Sequence, residues 1–426
     1  PDQLQQRNQS IVSKGLQGWF NLALIIDQPN LTQQQLIQQL NQWRQNYPNH
    51  VANGLLPKNL NASTFNQLQP NKVALLLPTT GPLKNSAQAI RNGFTAAYYY
   101  ARKKQDQPTI IVVNTANKNI NDAYQRAIQQ GAQFVVGPLT KANVQTLQQK
   151  PQLPLPTLAL NSIPNQSRSA SNLFTFGLSP IDEAVQVAKK DWQDQHRRVI
   201  IIAPDNEWGN NIAQAFITSW KNYGNSVTAR YNYNGRTSLA KGLRQLLQLS
   251  QSSKRARQLR ALLHRKIRTI LRRRKDFDSI FLIATNKMAR QIQPLLRYYY
   301  AGNIPVYALS PVYTGTPNIS HDRDLNNIQF CDIPWVITPH QLRPPYLQTI
   351  RSNIQRTWPQ SFRRHPKLYA LGVDSFNLIN RLHLMAVLPA FGNKAATGTL
   401  YLTPQHHIFR QLPWAKVEKG KVVPMA

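Results

Sequence analysis

Acidic residues are scarce in this chain. Its 426 residues carry 17 Asp and Glu against 51 Lys and Arg, a formal net charge of +34. The charged fraction is only 16%, and Gln and Asn fill many positions where a surface would ordinarily carry Glu or Asp. The positive balance therefore comes as much from missing acids as from added bases. A protein so charged repels itself and attracts polyanions, which brings nucleic acid, anionic lipid and acidic proteins into view as partners. The one cysteine, Cys331, excludes an internal disulfide and any multi-cysteine zinc site, and fits either a reducing compartment or an oxidising one that avoids stray thiols. No apolar run approaches the roughly 18 to 20 residues of a membrane span. No signal peptide is visible, although the chain starts mid-pattern at Pro1.

Enzyme signatures are equally sparse. The sequence holds no Gly-x-Gly-x-x-Gly, P-loop, Gly-x-Ser-x-Gly or His-Glu-x-x-His. Ser238-Leu239-Ala240-Lys241 fits Ser-x-x-Lys, and Ser375-Phe376-Asn377 could mimic the second motif of penicillin-interacting serine enzymes. The third motif, Lys-Thr-Gly or Lys-Ser-Gly, is missing, and Ser238 reads better as a helix N-cap. Asp205 and Glu207, between a strand and a helix, suit acid/base chemistry or simply the positive end of the helix dipole. His406 and His407 on one strand point to opposite faces, a poor metal pair. No cofactor is expected.

What is present is an alternating α/β pattern. At 426 residues the length suggests two or three units. Residues 1–69 read as helix followed by a polar linker; Ser10–Ile26 and Leu31–Tyr47 form an αα-hairpin. One such pair cannot bury its apolar face alone, so it either continues a repeat array or docks on the next domain. From Lys72 the apolar run Val73–Leu77, stopped by Pro-Thr-Thr-Gly-Pro and followed by a helix, is a buried parallel strand with its βα loop. Further strands are expected at Ile110–Val113, Phe134–Val136, Thr157–Leu160 and Leu173–Gly177. A second series has Val199–Ala203, Val227–Tyr231, Ile280–Ala284 and Val306–Leu309. Helices at Pro345–Thr357 and Leu368–Leu388 precede short strands at Thr399–Leu402, His407–Arg410 and Trp414–Val417. Residues 70–426 thus read as a bilobed α/β domain of two parallel-sheet lobes, lobe one about 72–177 and 338–388, lobe two about 178–337 and 389–426.

In such sheets ligands lie beyond the carboxyl ends of the strands. Thr79, Thr80, Leu139, Thr140 and Asn161 in the first lobe, with Asp205 and Tyr313 in the second, are the candidates to line a cleft between the lobes. The alternative for these hydroxyls and amides is that they only cap helices. The most basic stretch, Ser253–Lys275, spaces Leu259, Leu262, Leu263, Ile267, Ile270 and Leu271 as on a helix, so one face can pack while the other is solvated. Arg255, Arg257, Arg265, Arg268 and Arg272 form a candidate surface for an acidic partner. The stretch has no aromatic residue of its own for base stacking or membrane anchoring.

Several segments together resemble the LpoA-type penicillin-binding protein activators. They are Gly18-Trp19-Phe20-Asn21-Leu22-Ala23, Tyr47-Pro48-Asn49-His50, Val73–Pro78 with Gly81, Val136-Gly137-Pro138-Leu139, Arg272-Arg273-Arg274 with Asp276 and Asp278, Pro305-Val306-Tyr307-Ala308, Asp332-Ile333-Pro334-Trp335 and Gly398-Thr399-Leu400 with Arg410 and Trp414. The likeness runs from about residue 15 to the C-terminus. The resemblance implies a tetratricopeptide-like helical domain before a type I periplasmic-binding-like domain. It also implies no catalysis, and outer-membrane attachment on the periplasmic side through an N-terminal lipid anchor outside this sequence. The partner implied is a class A penicillin-binding protein, a bifunctional peptidoglycan synthase, with peptidoglycan nearby and no nucleic acid. The alternative is a periplasmic solute-binding or sensing protein.

Overall fold

In the computed structural model, which describes residues 13–27, 33–58, 70–102, 108–163, 170–235, 238–264 and 271–425, the first elements are the helices α1 (Lys14–Asp27) and α2 (Gln33–Asn46). Their apolar stripes meet at Leu22, Leu36, Leu40 and Trp43, and the Trp43 indole N–H donates to the Gly18 carbonyl at 2.8 Å. The pair closes its face with Ala52, Leu56 and Leu388, flanked by Leu384, Val387 and Phe391. Docking on the following domain is thus the way this short pair hides its apolar stripe. The linker at 59–69 lies outside the described residues.

Two compact units follow from the packing: Pro1–Leu178 with Pro344–Gln411, and Ser179–Arg343 with Leu412–Ala426. In the first, β1 (Lys72–Leu77), β2 (Thr109–Asn114), β3 (Phe134–Val136), β4 (Gln152–Ala159) and β5 (Ser171–Thr175) form a wholly parallel sheet in the order β2-β1-β3-β4-β5. The crossover helices are α3 (Lys84–Arg102), α4 (Ile120–Gln129) and α5 (Lys141–Gln148). Val73 to Leu77 are all buried, as a strand covered on both faces requires. The strand at 171–175, read from sequence as leaving the lobe, is the last strand of its sheet.

In the second unit α6 (Pro180–Gln193) leads to β6 (Arg198–Pro204), α7 (Glu207–Asn222), β7 (Ser226–Tyr233), α8 (Leu239–Leu246), α9 (Leu249–Leu263), β8 (Ser279–Leu282), α10 (Asn286–Leu296), β9 (Val306–Ala308) and β10 (Ile328–Cys331). Ile200, Ile202, Leu282, Ala308 and Phe330 fill the core under this sheet.

The chain then returns to the first unit as α11 (Pro345–Thr357), α12 (Pro359–Arg364), α13 (Pro366–Ile379) and α14 (Leu382–Val387), followed by a small antiparallel sheet of β11 (Asn393–Lys394), β12 (Thr399–Leu402) and β13 (Ile408–Gln411). The single helix expected over 368–388 is broken at Asn380-Arg381. α13 crosses α3 at close range through Gly372 and Gly93, where a Cβ would run into the Ile90 and Tyr369 carbonyls. Finally β14 (Trp414–Glu418) and β15 (Lys421–Pro424) rejoin the second sheet, whose order is β15-β14-β10-β9-β8-β6-β7. The sequence places all of 389–426 in the second lobe, whereas residues up to Gln411 pack with the first. The reason is local: the Thr175 N–H donates to the His406 carbonyl at 3.0 Å, and the Arg410 Nε donates to the Gly177 carbonyl at 2.8 Å.

Candidate functional site

β1 of the first unit has β2 on one side and β3 on the other, so its chain connections diverge, and the strands' carboxyl ends at that point are where sheets of this kind place a ligand. The loops after β1, β3 and β4 bring Thr79, Leu139, Thr140 and Asn161 to these ends. Gly137 holds φ +108, and a Cβ there would strike the Leu76 carbonyl, which keeps the loop after β3 flat against β1. The polar groups are largely engaged within the loops. The Asn114 Oδ1 accepts from the Thr79 N–H at 2.9 Å and the Ala116 N–H at 3.0 Å. The Asn161 Nδ2 donates to the Leu139 carbonyl at 3.0 Å, and the Thr140 hydroxyl caps α5 by accepting from the Asn143 N–H at 3.4 Å. Thr80 is exposed. Asn114 was missed in the sequence; an Asn closing a β-branched run was the available signal.

The second unit treats its strand ends in the same way. Asp205 is exposed and accepts from the Asn234 Nδ2 at 3.2 Å, while Asn206 caps α7 through the Gly209 N–H at 2.9 Å. Tyr313, a cleft candidate from sequence, is instead 3% exposed, and its ring packs 5.8 Å from that of Phe330 in the core. The apolar neighbours Val312 and Phe330 draw the ring inward. The loop after β9 is tied down by Glu183, whose carboxylate accepts from the Ser310 N–H and hydroxyl, both at 3.0 Å. Sequence reasoning did not single out Glu183.

The serine-enzyme candidates are placed structurally. The Ser238 hydroxyl is the N-cap of α8, accepting from the Lys241 N–H at 3.5 Å. The Ser375 hydroxyl is buried and donates to the Leu371 carbonyl one turn back at 2.6 Å.

Two buried carboxylates have richer surroundings. Asp374 in α13 accepts from the Ala396 N–H (2.9 Å), the Thr397 N–H (2.7 Å) and the Thr397 hydroxyl (2.6 Å). Complete burial pushes its carboxyl up to about 6, although these donors and the nearby Arg410 pull the other way. Arg410, 1% exposed, donates to the Gly177 and Thr397 carbonyls. Asp191, at the amino ends of the second unit's strands, accepts from Ser279 Oγ at 2.8 Å and pairs with His196 Nδ1 at 2.8 Å. Burial raises Asp191, and the hydrogen bond to the Asp191 carboxylate raises His196. Ser, Asp and His thus adjoin, but Ser279 is fully buried and its hydroxyl serves the carboxylate rather than the imidazole. A charged residue inside an apolar helical run, as in Leu371-Gly372-Val373-Asp374, was the signal for the first cluster. Among the described residues no group of three or more His, Cys, Asp and Glu could hold a metal ion.

The basic stretch departs most from expectation. Helix α9 ends at Leu263, Arg265 and Arg268 lie outside the described residues, and Arg272 follows in extended chain. Leu259, Leu262 and Leu263, expected to pack, are exposed, and Leu249 is the only buried residue of the helix. Among the described residues, nothing beyond the first turn covers the helix's apolar stripe. Arg255, Arg257 and Arg272 are exposed as expected.

The parallel β2-β1-β3-β4-β5 sheet, with its connections diverging at β1, and the second α/β unit define the fold as that of the type I periplasmic-binding proteins. A solute-binding protein of an ABC transporter from R. palustris, in complex with 4-hydroxybenzoate, has a similar structure, with a TM-score of 0.54 at 14% identity over 83% of this chain and 95% of that one. The chain belongs to the family described as LppC putative lipoprotein, whose model matches residues 2–420. It is 29% identical over 407 residues to the penicillin-binding protein activator LpoA of Vibrio antiquarius, covering 94% of this chain and 66% of that protein. The LpoA C-domain from Haemophilus influenzae, described as a regulator of PBP1A, superposes with a TM-score of 0.64 at 26% identity, over 83% of this chain and all of that domain. The chain therefore spans slightly less than two thirds of the length of the curated relatives it matches.

Proposed function

We propose that this chain is the greater part of a non-enzymatic activator. In this reading it is held at the periplasmic face of the outer membrane by a lipid anchor, close to peptidoglycan, and binds and stimulates a class A penicillin-binding protein. Its relatives carry the activator name. The observation that carries the reading is the state of the strand ends: Asn114, Thr140 and Asn161 are bonded to groups of the strand-end loops themselves, within one loop or from one to the next. A solute-binding fold whose polar groups are closed on themselves serves as a scaffold that presents surfaces. Activation then requires the scaffold to bind the active state of the synthase more tightly than the inactive one.

The test is a pull-down with the class A synthase of the same cell, combined with glycan polymerisation on a lipid-linked precursor. The expected result is co-purification and a faster rate; full-chain protein that neither binds nor stimulates overturns the proposal. The rival, a solute sensor, draws on the gathering of Thr79, Thr80, Leu139, Thr140 and Asn161 at one set of strand ends in the first unit. That reading requires a ligand-dependent rise in melting temperature with amino acids or muropeptides, lost in Thr80→Ala.

A further inference from the structure

Between Leu249 and Lys275 the sequence has eleven Lys and Arg residues and no acid. The described part of this stretch is a helix with little cover. Leu259 is 51% exposed, Leu262 76% and Leu263 56%. At about 100° per residue these three leucines fall within an arc of roughly 100°, and Lys254, Arg257 and Arg260 lie on the opposite side. The stretch has no aromatic residue of its own, but the segment after the helix is bonded to a turn that carries exposed tyrosines. Residues 271–275 run from the helix to the turn after α10: the Arg272 N–H donates to Ser252 Oγ at 3.2 Å, and the Arg273 Nε donates to the Tyr300 carbonyl at 2.8 Å. Beside that anchor Tyr298 is 75% exposed and Tyr300 58%. The nearby acid is already neutralised, since Arg274 grips Asp276 through two hydrogen bonds of 2.7 and 2.6 Å.

A helix with bare leucines, a cationic flank and exposed tyrosines on the turn bonded to the segment that follows carries the three components of an interfacial membrane surface: an apolar stripe for the acyl boundary, cations for headgroups and amphipathic rings for the level between them. A protein acceptor would match a few cations with discrete acids in a shaped face. Eleven cations spread through one stretch without an intervening acid instead suit the diffuse negative charge of a lipid surface. We propose that α9 together with Arg272, Tyr298 and Tyr300 is a docking surface for an anionic phospholipid bilayer. Docking there would fix the second unit against a membrane by a contact independent of any covalent lipid.

The experiment is co-sedimentation of the full chain with vesicles of phosphatidylglycerol and phosphatidylethanolamine, and with phosphatidylcholine vesicles as the neutral control. Two variants are compared with the unaltered chain: Leu259→Ser/Leu262→Ser/Leu263→Ser and Arg255→Gln/Arg257→Gln/Arg272→Gln. The expected result is binding to the anionic vesicles alone, weakened by salt as headgroup attraction is screened, and reduced about tenfold or more in each variant at unchanged melting temperature. Equal binding by either variant overturns the proposal, because the attraction would then be that of the net charge at large. Binding to neutral vesicles, or no vesicle binding, overturns it as well. If the variants lose synthase binding while the unaltered chain ignores vesicles, the surface belongs to a protein partner. No synthase is present in the vesicle assay, so this proposal and that of the activator fail separately.

Discussion

The junction around Asp374 in the first unit and the basic face of the second handle charge in opposite ways. Asp374 and Arg410 are enclosed, and every bond described for them goes to the unit's own backbone and hydroxyls: the carboxylate holds the Ala396–Thr397 turn, and the guanidinium holds the Gly177 and Thr397 carbonyls. On α9 the cations and leucines face outward, and among the described residues no salt bridge reaches Lys254, Arg255 or Arg257. Charge turned inward determines which segments belong to a unit. Charge turned outward contributes almost nothing to the unit and is available to a partner. The contrast separates residues whose loss unfolds the protein from those whose loss leaves it folded but unrecognised.

The largest effect should come from breaking the inward arrangement. Arg410→Ala leaves a fully buried carboxylate without its cation and the Gly177 carbonyl without its donor. A loss of about 3–5 kcal/mol in unfolding free energy is expected, read by urea denaturation. Replacing both charges, Asp374→Leu with Arg410→Met, should recover part of that loss, because no uncompensated charge then remains. Equal destabilisation by the single and double variants would show that shape, not charge, holds the junction.

This junction also marks the limit of what was legible in the sequence. The strand at Val73–Leu77 and its parallel partners could be read because a strand covered on both faces must be a continuous apolar run. Phe134–Val136 and Thr399–Leu402 were placed at their observed bounds. The short strands Ile328–Cys331 and Lys421–Pro424 were not, since four residues that take their pairing from distant segments carry no periodicity of their own. The assignment of residues 393–411 to the first unit rests on hydrogen bonds between Thr175 and His406 and between Arg410 and Gly177, pairs more than two hundred positions apart. Composition and spacing do not encode such pairings. For the candidate site, the strand-end loops were found correctly because they follow from topology. The inward turn of Tyr313, the role of Asn114 and the bond from Arg273 to the Tyr300 carbonyl depend on packing between elements, which a linear pattern does not contain.

A smaller effect sharpens the inward half of the comparison. The Asp374 carboxyl, pushed up to about 6, titrates above the ordinary value of about 3.9. A raised folded-state value means that its contribution to stability is fully present below about pH 4 and is lost as the pH rises through about 6. Between pH 4 and pH 7 this should remove about 2–3 kcal/mol. Asp374→Asn cannot ionise, so the difference in melting temperature between it and the unaltered chain should change across this window. Parallel profiles from pH 4 to pH 7 would show that the three donors, rather than burial, control the carboxyl.

The smallest effect is expected where the outward charge is removed. Arg255→Gln/Arg257→Gln/Arg272→Gln eliminates three exposed cations and lowers a formal net charge of +34 by three. Exposed side chains away from caps and buried networks usually alter stability by no more than about 0.5 kcal/mol. Relief of self-repulsion acts in the stabilising direction. The unfolding free energy should therefore stay within about 0.5 kcal/mol of the unaltered chain, or rise slightly, with the rise largest at low salt where the repulsion is least screened. A fall of more than about 1 kcal/mol would mean that the guanidinium groups support the fold, as Arg274 does through Asp276. The distinction between the two regions would then be one of degree. Unchanged stability instead frees the triple variant for use against vesicles and synthase alike, because any loss of binding could be assigned to the surface itself.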